Sequence, residues 1–143
     1  MIQDRFKYRA WNKKRKRMYE VLHLHTGTYD NGGDWATVKG FNIITQQDIH
    51  IQVQPKDCIL MQCTGRCDDK KQLIYEDDIV NGHCGVYWGK MLVIWDEISA
   101  AFCFKRLEKK GELLPFVSDP MFVEILGNKY ENPELLEGAD ENQ

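Results

Sequence analysis

The sequence predicts a mainly β protein, and three observations support that prediction. Apolar and polar residues alternate with a period of two along several segments, as they do in strands with one buried face. Short clusters of Gly, Asn and Asp, which favour turns, separate these segments. Aromatic residues, which pack well on pleated sheets, make up 11% of the chain. Strands at this spacing are typical of a barrel or a sandwich.

The first two predicted strands lie on either side of a basic segment. Within residues 5–11, Phe6, Tyr8 and Ala10 share one face, which we expect to be buried, while basic residues occupy the other face. The second predicted strand covers residues 18–24. The polar segment between them predicts a hairpin.

A third strand is predicted over residues 48–54. Ile49, Ile51 and Val53 alternate with polar residues there and are expected to face inward. Before this strand, residues 29–34 contain the residue types that tolerate a positive φ. A loop or hairpin tip is therefore expected over residues 29–34.

The middle of the chain predicts a tight hairpin. A turn at residues 88–90 would join a strand at residues 85–88 to a second strand at residues 91–95. Two further short apolar runs, at residues 100–104 and 120–126, also predict strands.

Two later segments carry helix signals. Residues 96–110 fit either a helix or two strands joined by a turn. Residues 132–138 predict one helical turn, because Asn132 is a good N-cap, a proline takes the first helical position and a glycine ends the segment. We expect Leu135 and Leu136 to pack on the sheet.

Composition predicts a soluble globular protein of one domain or two small lobes. The 143 residues are 43% hydrophobic and 29% charged, and their net charge is −3. No apolar run reaches the roughly 18 residues that cross a bilayer, so no membrane association is expected. Five cysteines without a secretory signal predict reduced thiols in the cytoplasm of a bacterium or of a phage-infected host cell.

Four sequence blocks resemble the YopX family, which is known from phage and prophage genomes. The blocks lie in the family's order and span nearly the whole chain. They are residues 6–11 (Phe-Lys-Tyr-Arg-Ala-Trp), 60–65 (Leu-Met-Gln-Cys-Thr-Gly), 74–80 (Ile-Tyr-Glu-Asp-Asp-Ile-Val) and 123–136 (Val-Glu-Ile-Leu-Gly-Asn-Lys-Tyr-Glu-Asn-Pro-Glu-Leu-Leu). The resemblance implies kinship and a fold, but it brings no assigned biochemical activity.

The resemblance also implies an architecture. An N-terminal β region (residues 1–57) would be followed by a small SH3-like β-barrel and a short C-terminal helical turn (residues 58–143). One integrated domain that contains both regions is the alternative. For residues 96–110, the resemblance favours two strands joined by a turn over a helix. The family's usual form at residues 75–80 resembles Tyr-Glu-Gly-Asp-Ile-Val, so Asp77 replaces a glycine. If the turn needs a positive φ there, aspartate tolerates it less well than glycine.

The strongest cationic cluster is the predicted hairpin turn. Five adjacent cations would bind phosphates with salt-sensitive affinity, so they form a candidate nucleic-acid site: Lys13, Lys14, Arg15, Lys16 and Arg17. A solvated hairpin tip is the alternative, and the overall acidity favours it.

Thiols and carboxylates suggest two further kinds of site. Cys58, Cys63, Cys67, His83 and Cys84 supply zinc-ligand types, and the Cys63–Cys67 pair has zinc-like spacing. The second half of such a site would be the adjacent His83 and Cys84, whose side chains leave a strand on opposite faces, so scattered thiols and no cofactor are predicted.

The acids of residues 68–69 and 76–78 would suit acid–base chemistry or a hard cation. Aspartates before strands also bind backbone amides in turns, and we expect this local role.

Trp88 and Trp95 form a candidate aromatic surface. Together with Tyr87 and Phe104 they would provide a stacking platform for bases or for a proline-rich peptide. Aromatic residues at strand spacing are more often core residues, and we expect these four to face inward.

The sequence therefore predicts a phage- or prophage-encoded accessory protein of unknown biochemical function, most simply a non-enzymatic interaction protein. Its expected partners are a further copy of itself or a phage or host protein. Nucleic-acid binding through residues 13–17 is the alternative, and an enzyme or metalloprotein is a third hypothesis.

Overall fold

The computed structural model describes residues 2–25, 35–42, 44–54, 56–84, 87–108, 112–116 and 122–137. These residues are mainly β, as predicted, and the loop expected at residues 29–34 lies outside them. None of the helices in the described ranges is long and apolar enough to cross a membrane. The elements are a 3-10 helix (Ile2–Phe6), β1 (Tyr8–Asn12), β2 (Arg17–His25), β3 (Trp35–Asn42), β4 (Gln47–Val53), β5 (Cys58–Cys67), β6 (Leu73–Tyr75), β7 (Asp78–Cys84), β8 (Tyr87–Asp96), β9 (Ala101–Arg106), β10 (Leu113–Pro115), β11 (Phe122–Asn128) and α1 (Glu134–Glu137).

The chain divides into two compact units. The N-terminal unit is Lys7–Gln62, and the C-terminal unit combines Met1–Phe6 with Cys63–Gln143. Strand β5 contributes to both units, because its first half pairs with β1 and its second half pairs with β6.

The N-terminal unit is an antiparallel sheet in the order β4-β3-β2-β1-β5. Its core is built from small and branched side chains, with Ala10 and Val38 completely buried. Strand β3 was not predicted, because Gly40 interrupts its apolar pattern. The glycine leaves room for the end of the Ile51 side chain on β4, which a Cβ at this position would displace.

Two residues expected to face inward are exposed. Ala10 and Val53 are buried as predicted, but Phe6 is 60% exposed and Ile49 is 37% exposed. Phe6 ends the 3-10 helix before β1 begins, so the strand alternation does not reach it. Ile49 lies on β4, which is the edge strand at the end of the sheet order, so no further strand of the sheet shields its outer side from solvent.

The C-terminal unit contains an antiparallel sheet in the order β10-β9-β8-β7-β11, together with the β5–β6 pair. Phe104, Met91 and Val93 are completely buried at its centre, and the Phe104 ring stacks on Phe116 with 4.3 Å between centroids. Strands β10 and β11 stand at opposite ends of the strand order, so the sheet formed by the described strands is open.

The hairpin predicted at residues 88–90 is wrong. Strand β8 runs unbroken through these residues, and Cys84 at the end of β7 pairs with Tyr87 at the start of β8. Gly89 lies inside the strand with a φ of 154°. A Cβ at Gly89 would collide with the Tyr87 hydroxyl, so the glycine makes room for a neighbouring ring and does not form a turn.

The two later segments adopt the expected secondary structure. Residues 96–106 form strand, turn and strand, and Asp96 closes the turn by accepting hydrogen bonds from Ser99 N (3.1 Å) and Ser99 Oγ (2.6 Å). These bonds lower the pKa of Asp96. Helix α1 is a single turn in which Leu135 and Leu136 are half-buried.

The open side of β11 is bound by the turn between β5 and β6. Asp68 is 6% exposed, and its Oδ1 accepts hydrogen bonds from Lys70 N (3.0 Å) and Gln72 N (2.8 Å). Its Oδ2 accepts a third from Ile125 N (3.1 Å), and Asp69 N donates to Val123 O (2.9 Å). The turn thus satisfies backbone groups that an edge strand would otherwise leave open.

We predict that Asp68→Ala lowers the free energy of unfolding by about 2–4 kcal/mol, because it leaves three part-buried amides without their acceptor. Asp69→Ala is the matched control. Its bond to β11 uses the backbone, so the change should stay within about 0.5 kcal/mol. Urea unfolding measures both variants, and equal effects would contradict the role of the Asp68 carboxylate.

Candidate functional site

The basic segment is a turn held in place by Asn12. The Asn12 Oδ1 accepts hydrogen bonds from Lys14 N (3.1 Å) and Arg15 N (2.9 Å), and Lys16 adopts a positive φ of 53°. All five cations of residues 13–17 are exposed. The backbone of this turn depends on Asn12, so the cationic side chains are not required to hold its shape.

A cleft of about 650 Å³ lies beside this turn, within the N-terminal unit. Lys13, Lys14, Arg15 and Lys56 supply cations to its wall, and Asp57 is the acid among the lining residues. The lining also includes the ring of Tyr19 and apolar side chains of β4. A concave surface with this charge concentrates anions. The sequence predicted the cations of the turn but not the cleft beside them.

The aromatic candidates separate into two pairs. Tyr87 and Phe104 are buried as expected, whereas Trp88 is 64% exposed and Trp95 is 44% exposed, contrary to the inward orientation predicted for them. The Trp95 ring contacts Phe102 edge to face at 5.0 Å. Both tryptophans are therefore accessible to a partner.

Tyr87 is enclosed by polar neighbours. The guanidinium of Arg106 lies 3.9 Å from the centre of its ring, and its hydroxyl donates to Lys90 O at 3.3 Å. Burial, followed by the charge of Glu108, raises the pKa of the Tyr87 hydroxyl. Tyr87 thus serves the packing of β8, and its hydroxyl stays protonated at neutral pH.

The thiols are distributed through both units. Cys58, Cys63 and Cys103 are buried, Cys67 is exposed, and all four are reduced thiols. Burial and the charge of Asp57 raise the pKa of the Cys58 thiol, so it is a poor nucleophile at neutral pH. Among the residues that the structure describes, no three His, Cys, Asp or Glu side chains are grouped to hold a metal ion.

The acids of residues 76–78 form the turn between β6 and β7. Asp78 is 1% exposed, and its Oδ2 accepts a hydrogen bond from Tyr75 N at 2.8 Å. Asp77 has a φ of 66°, the positive value that the glycine of the family pattern implies. Its Oδ2 accepts a hydrogen bond from the Tyr130 hydroxyl at 2.9 Å, a contact that glycine would not provide.

Tyr130, which donates the hydrogen bond to Asp77, belongs to a second tight turn that follows β11. Asn128 Oδ1 accepts hydrogen bonds from Tyr130 N (3.0 Å) and Glu131 N (2.9 Å), while Lys129 N donates to Asp77 O (2.9 Å). Asn132 Oδ1 accepts from Asn128 N at 3.2 Å, so this side chain faces back toward β11, whereas the sequence suggested a helix cap. The two turns are therefore held together by backbone and side-chain bonds.

These two turns coincide with the sequence blocks 74–80 and 123–136. The model of the YopX family, described as YopX protein, matches residues 7–137 of the chain. The chain belongs to the YopX family. The hydrogen bonds between Asp77, Lys129 and Tyr130 give these two blocks of the YopX chain a shared structural role.

Two solved structures support the fold of this YopX chain. Protein EF1440 from Enterococcus faecalis is 18% identical, with a TM-score of 0.58 over 91% of this chain and 96% of that one. Protein yopX from Bacillus subtilis is also 18% identical, with a TM-score of 0.55 over 92% of this chain and 98% of that one. No curated protein matches the chain significantly. At this identity the likeness shows the fold alone.

We predict that Tyr130→Phe destabilises the protein by about 1 kcal/mol, because the bond to Asp77 is lost. Asp77→Gly in the native background should change stability little, since relief of the positive φ offsets the lost bond. In the Tyr130→Phe background the same glycine should stabilise by about 1 kcal/mol. Urea unfolding of the four proteins measures this difference. An equal effect of glycine in both backgrounds would show that the hydroxyl bond contributes nothing.

Proposed function

We propose that this chain is a non-enzymatic binding protein that acts through its surface. The observation that carries the proposal is the use of its acids. Asp68 and Asp78 are buried, and their carboxylates accept backbone hydrogen bonds, while Asp77 binds Tyr130. Carboxylates engaged in this way hold turns, and they are poorly placed to exchange protons with a substrate.

The setting that fits this role is the cytoplasm of a bacterium or of a phage-infected host cell, with the chain encoded by a phage or prophage. Membership of the YopX family supports this setting. The buried cysteines are reduced thiols, which suits a reducing compartment. The proposed partner is a phage or host protein or a second copy of the chain, without a cofactor.

The architecture of the C-terminal unit is proposed to be SH3-like in an open form. Strand β7 lies between its hairpin partner β8 and the last strand, β11, while β8, β9 and β10 follow one another as a meander. This order brings the first and last strands of the unit's main sheet together, which supports the kinship even though β10 and β11 do not meet.

Strand β4 supports the self-association part of the proposal. It stands at the end of the sheet order, and its seven residues contain no proline. Ile49 on this strand is 37% exposed. An accessible edge strand of this length is a template for pairing with a second copy.

A second candidate function is nucleic-acid binding by residues 13–17. The cleft beside the turn favours it, because four cationic side chains line one concave surface. Phosphate groups would release counterions on binding there, so the affinity would fall steeply with salt.

We predict that the protein forms a dimer or larger assembly at high concentration, as measured by size-exclusion chromatography with light scattering. Ile49→Lys should reduce the association, because a charge on an edge strand opposes pairing. Ile98→Lys is the matched control, since Ile98 is 98% exposed in a turn of the C-terminal unit. A strictly monomeric native protein would contradict self-association.

We predict that the protein binds duplex DNA at about 50 mM salt and that this affinity falls steeply as the salt concentration rises to about 200 mM. Replacing all five cations of residues 13–17 by serine should remove up to about 4 units from the slope of log affinity against log salt. The turn should still form, because Asn12 binds backbone amides there. The matched control combines Lys13→Arg, Lys14→Arg and Lys16→Arg, which keeps the charge of the turn and should therefore keep the affinity for DNA. Equal binding by the serine variant would eliminate this site.

A further inference from the structure

Three aromatic side chains form a row on one face of the C-terminal sheet. His83 on β7 pairs directly with Trp88 on β8 and with Phe122 on β11. Directly paired residues point to the same face of a sheet, and neighbouring strands lie about 4.8 Å apart. The rings of His83 and Trp88 are 5.9 Å apart between centroids and tilted by 41°.

The two outer members of this aromatic row are accessible. Trp88 is 64% exposed and Phe122 is 54% exposed, while His83 between them is half-buried. Large apolar rings that are exposed together on one face mark an interaction site more often than scattered single residues do. The row is assembled from three separate strands, so sequence spacing does not reveal it.

The border of the aromatic row is cationic. On the same face, the next positions are Lys90 on β8, Asn81 on β7 and Glu124 on β11. The one acid among these three, Glu124, is neutralised by Lys70, whose Nζ lies 2.7 Å from its carboxylate. Lys105 on β9 pairs with Leu92 and adds a second exposed cation to this face.

We propose that the aromatic row binds single-stranded nucleic acid. Its bases would stack on Trp88 and Phe122, and its phosphates would lie against Lys90 and Lys105. Exposed rings on a pleated sheet stack two or three bases in known single-strand-binding domains, and nearby cations follow the backbone. Stacking accepts every base, so little sequence preference is expected.

Charge decides between this occupant and the alternatives. A second copy placed face to face on the row would bring the lysines of both copies, Lys90 and Lys105, close together on one small surface, which like-charge repulsion opposes. A proline-rich peptide is recognised in an aromatic-lined groove and gains nothing from a cationic border. A strand of phosphates satisfies both the rings and the cations.

This inference goes beyond the proposed function and is independent of the basic turn, because the row lies in the C-terminal unit and the turn in the N-terminal unit. The two sites also differ in the expected preference. Exposed bases are needed for stacking, so the row should prefer single strands. Phosphate contacts by the turn should hold duplex DNA as well.

The test is fluorescence anisotropy of a fluorescein-labelled oligothymidylate of twelve nucleotides in low salt, with unlabelled duplex as competitor. The native protein should bind the oligonucleotide, and the duplex should compete poorly. Trp88→Ala combined with Phe122→Ala should weaken binding at least roughly tenfold, because the double variant loses both rings on which bases would stack. Trp88→Phe together with native Phe122 should retain most of the affinity.

Trp95→Ala is the matched control, since Trp95 is a partly exposed tryptophan on the same strand but outside the row. It should bind as the native protein does. Trp88 and Phe122 are more than half exposed, so alanine at these positions should leave the core intact, and thermal unfolding checks that the double variant is folded.

Three results would overturn the proposal. One is absence of oligonucleotide binding by the native protein. Another is unchanged binding by the double variant when the serine variant of residues 13–17 loses it, which would assign the binding to the basic turn. The third is quenching, by a proline-rich peptide but not by the oligonucleotide, of the part of the tryptophan fluorescence that Trp88→Phe removes.

Discussion

Backbone amides that have no strand partner are bound by aspartate carboxylates, and the C-terminal unit depends on this interaction. Asp68 binds three amides, and one of them, Ile125 N, is 57 residues away in the sequence. Asp78 binds the amide of Tyr75. Because an unsatisfied buried amide costs about 1–3 kcal/mol, each carboxylate stabilises both the turn it belongs to and the strand that the turn contacts. The edge of the sheet is covered by this means.

The same interaction determines where function is to be sought. Acids that bind backbone amides are fixed in place, and the described thiols are mostly buried. Accessible groups include the cations beside the cleft and the exposed rings of Trp88 and Phe122. Both are binding chemistries of a kind that suits phosphates and bases.

Much of the fold follows from local sequence. The alternation in β1, β2 and β4 predicted strands because it reflects burial of one face, and proline and glycine delimited helix α1. The predictions that were wrong concern residues whose role is set by tertiary neighbours. Gly89 is a residue type typical of turns, yet it lies inside a strand, where the Tyr87 hydroxyl occupies the space that a Cβ would need. The exposure of Trp88 was missed because alternation gives two faces without saying which one the core covers.

The sequence by itself determined the mainly β class, the position of most strands, the basic turn and the family, since each depends on residues close together in the chain or on a motif. Only the tertiary structure decided which acids hold the sheet and which rings line up beside His83, because these contacts join residues from distant strands. Strand register sets such neighbours, and register is fixed by packing across the whole sheet.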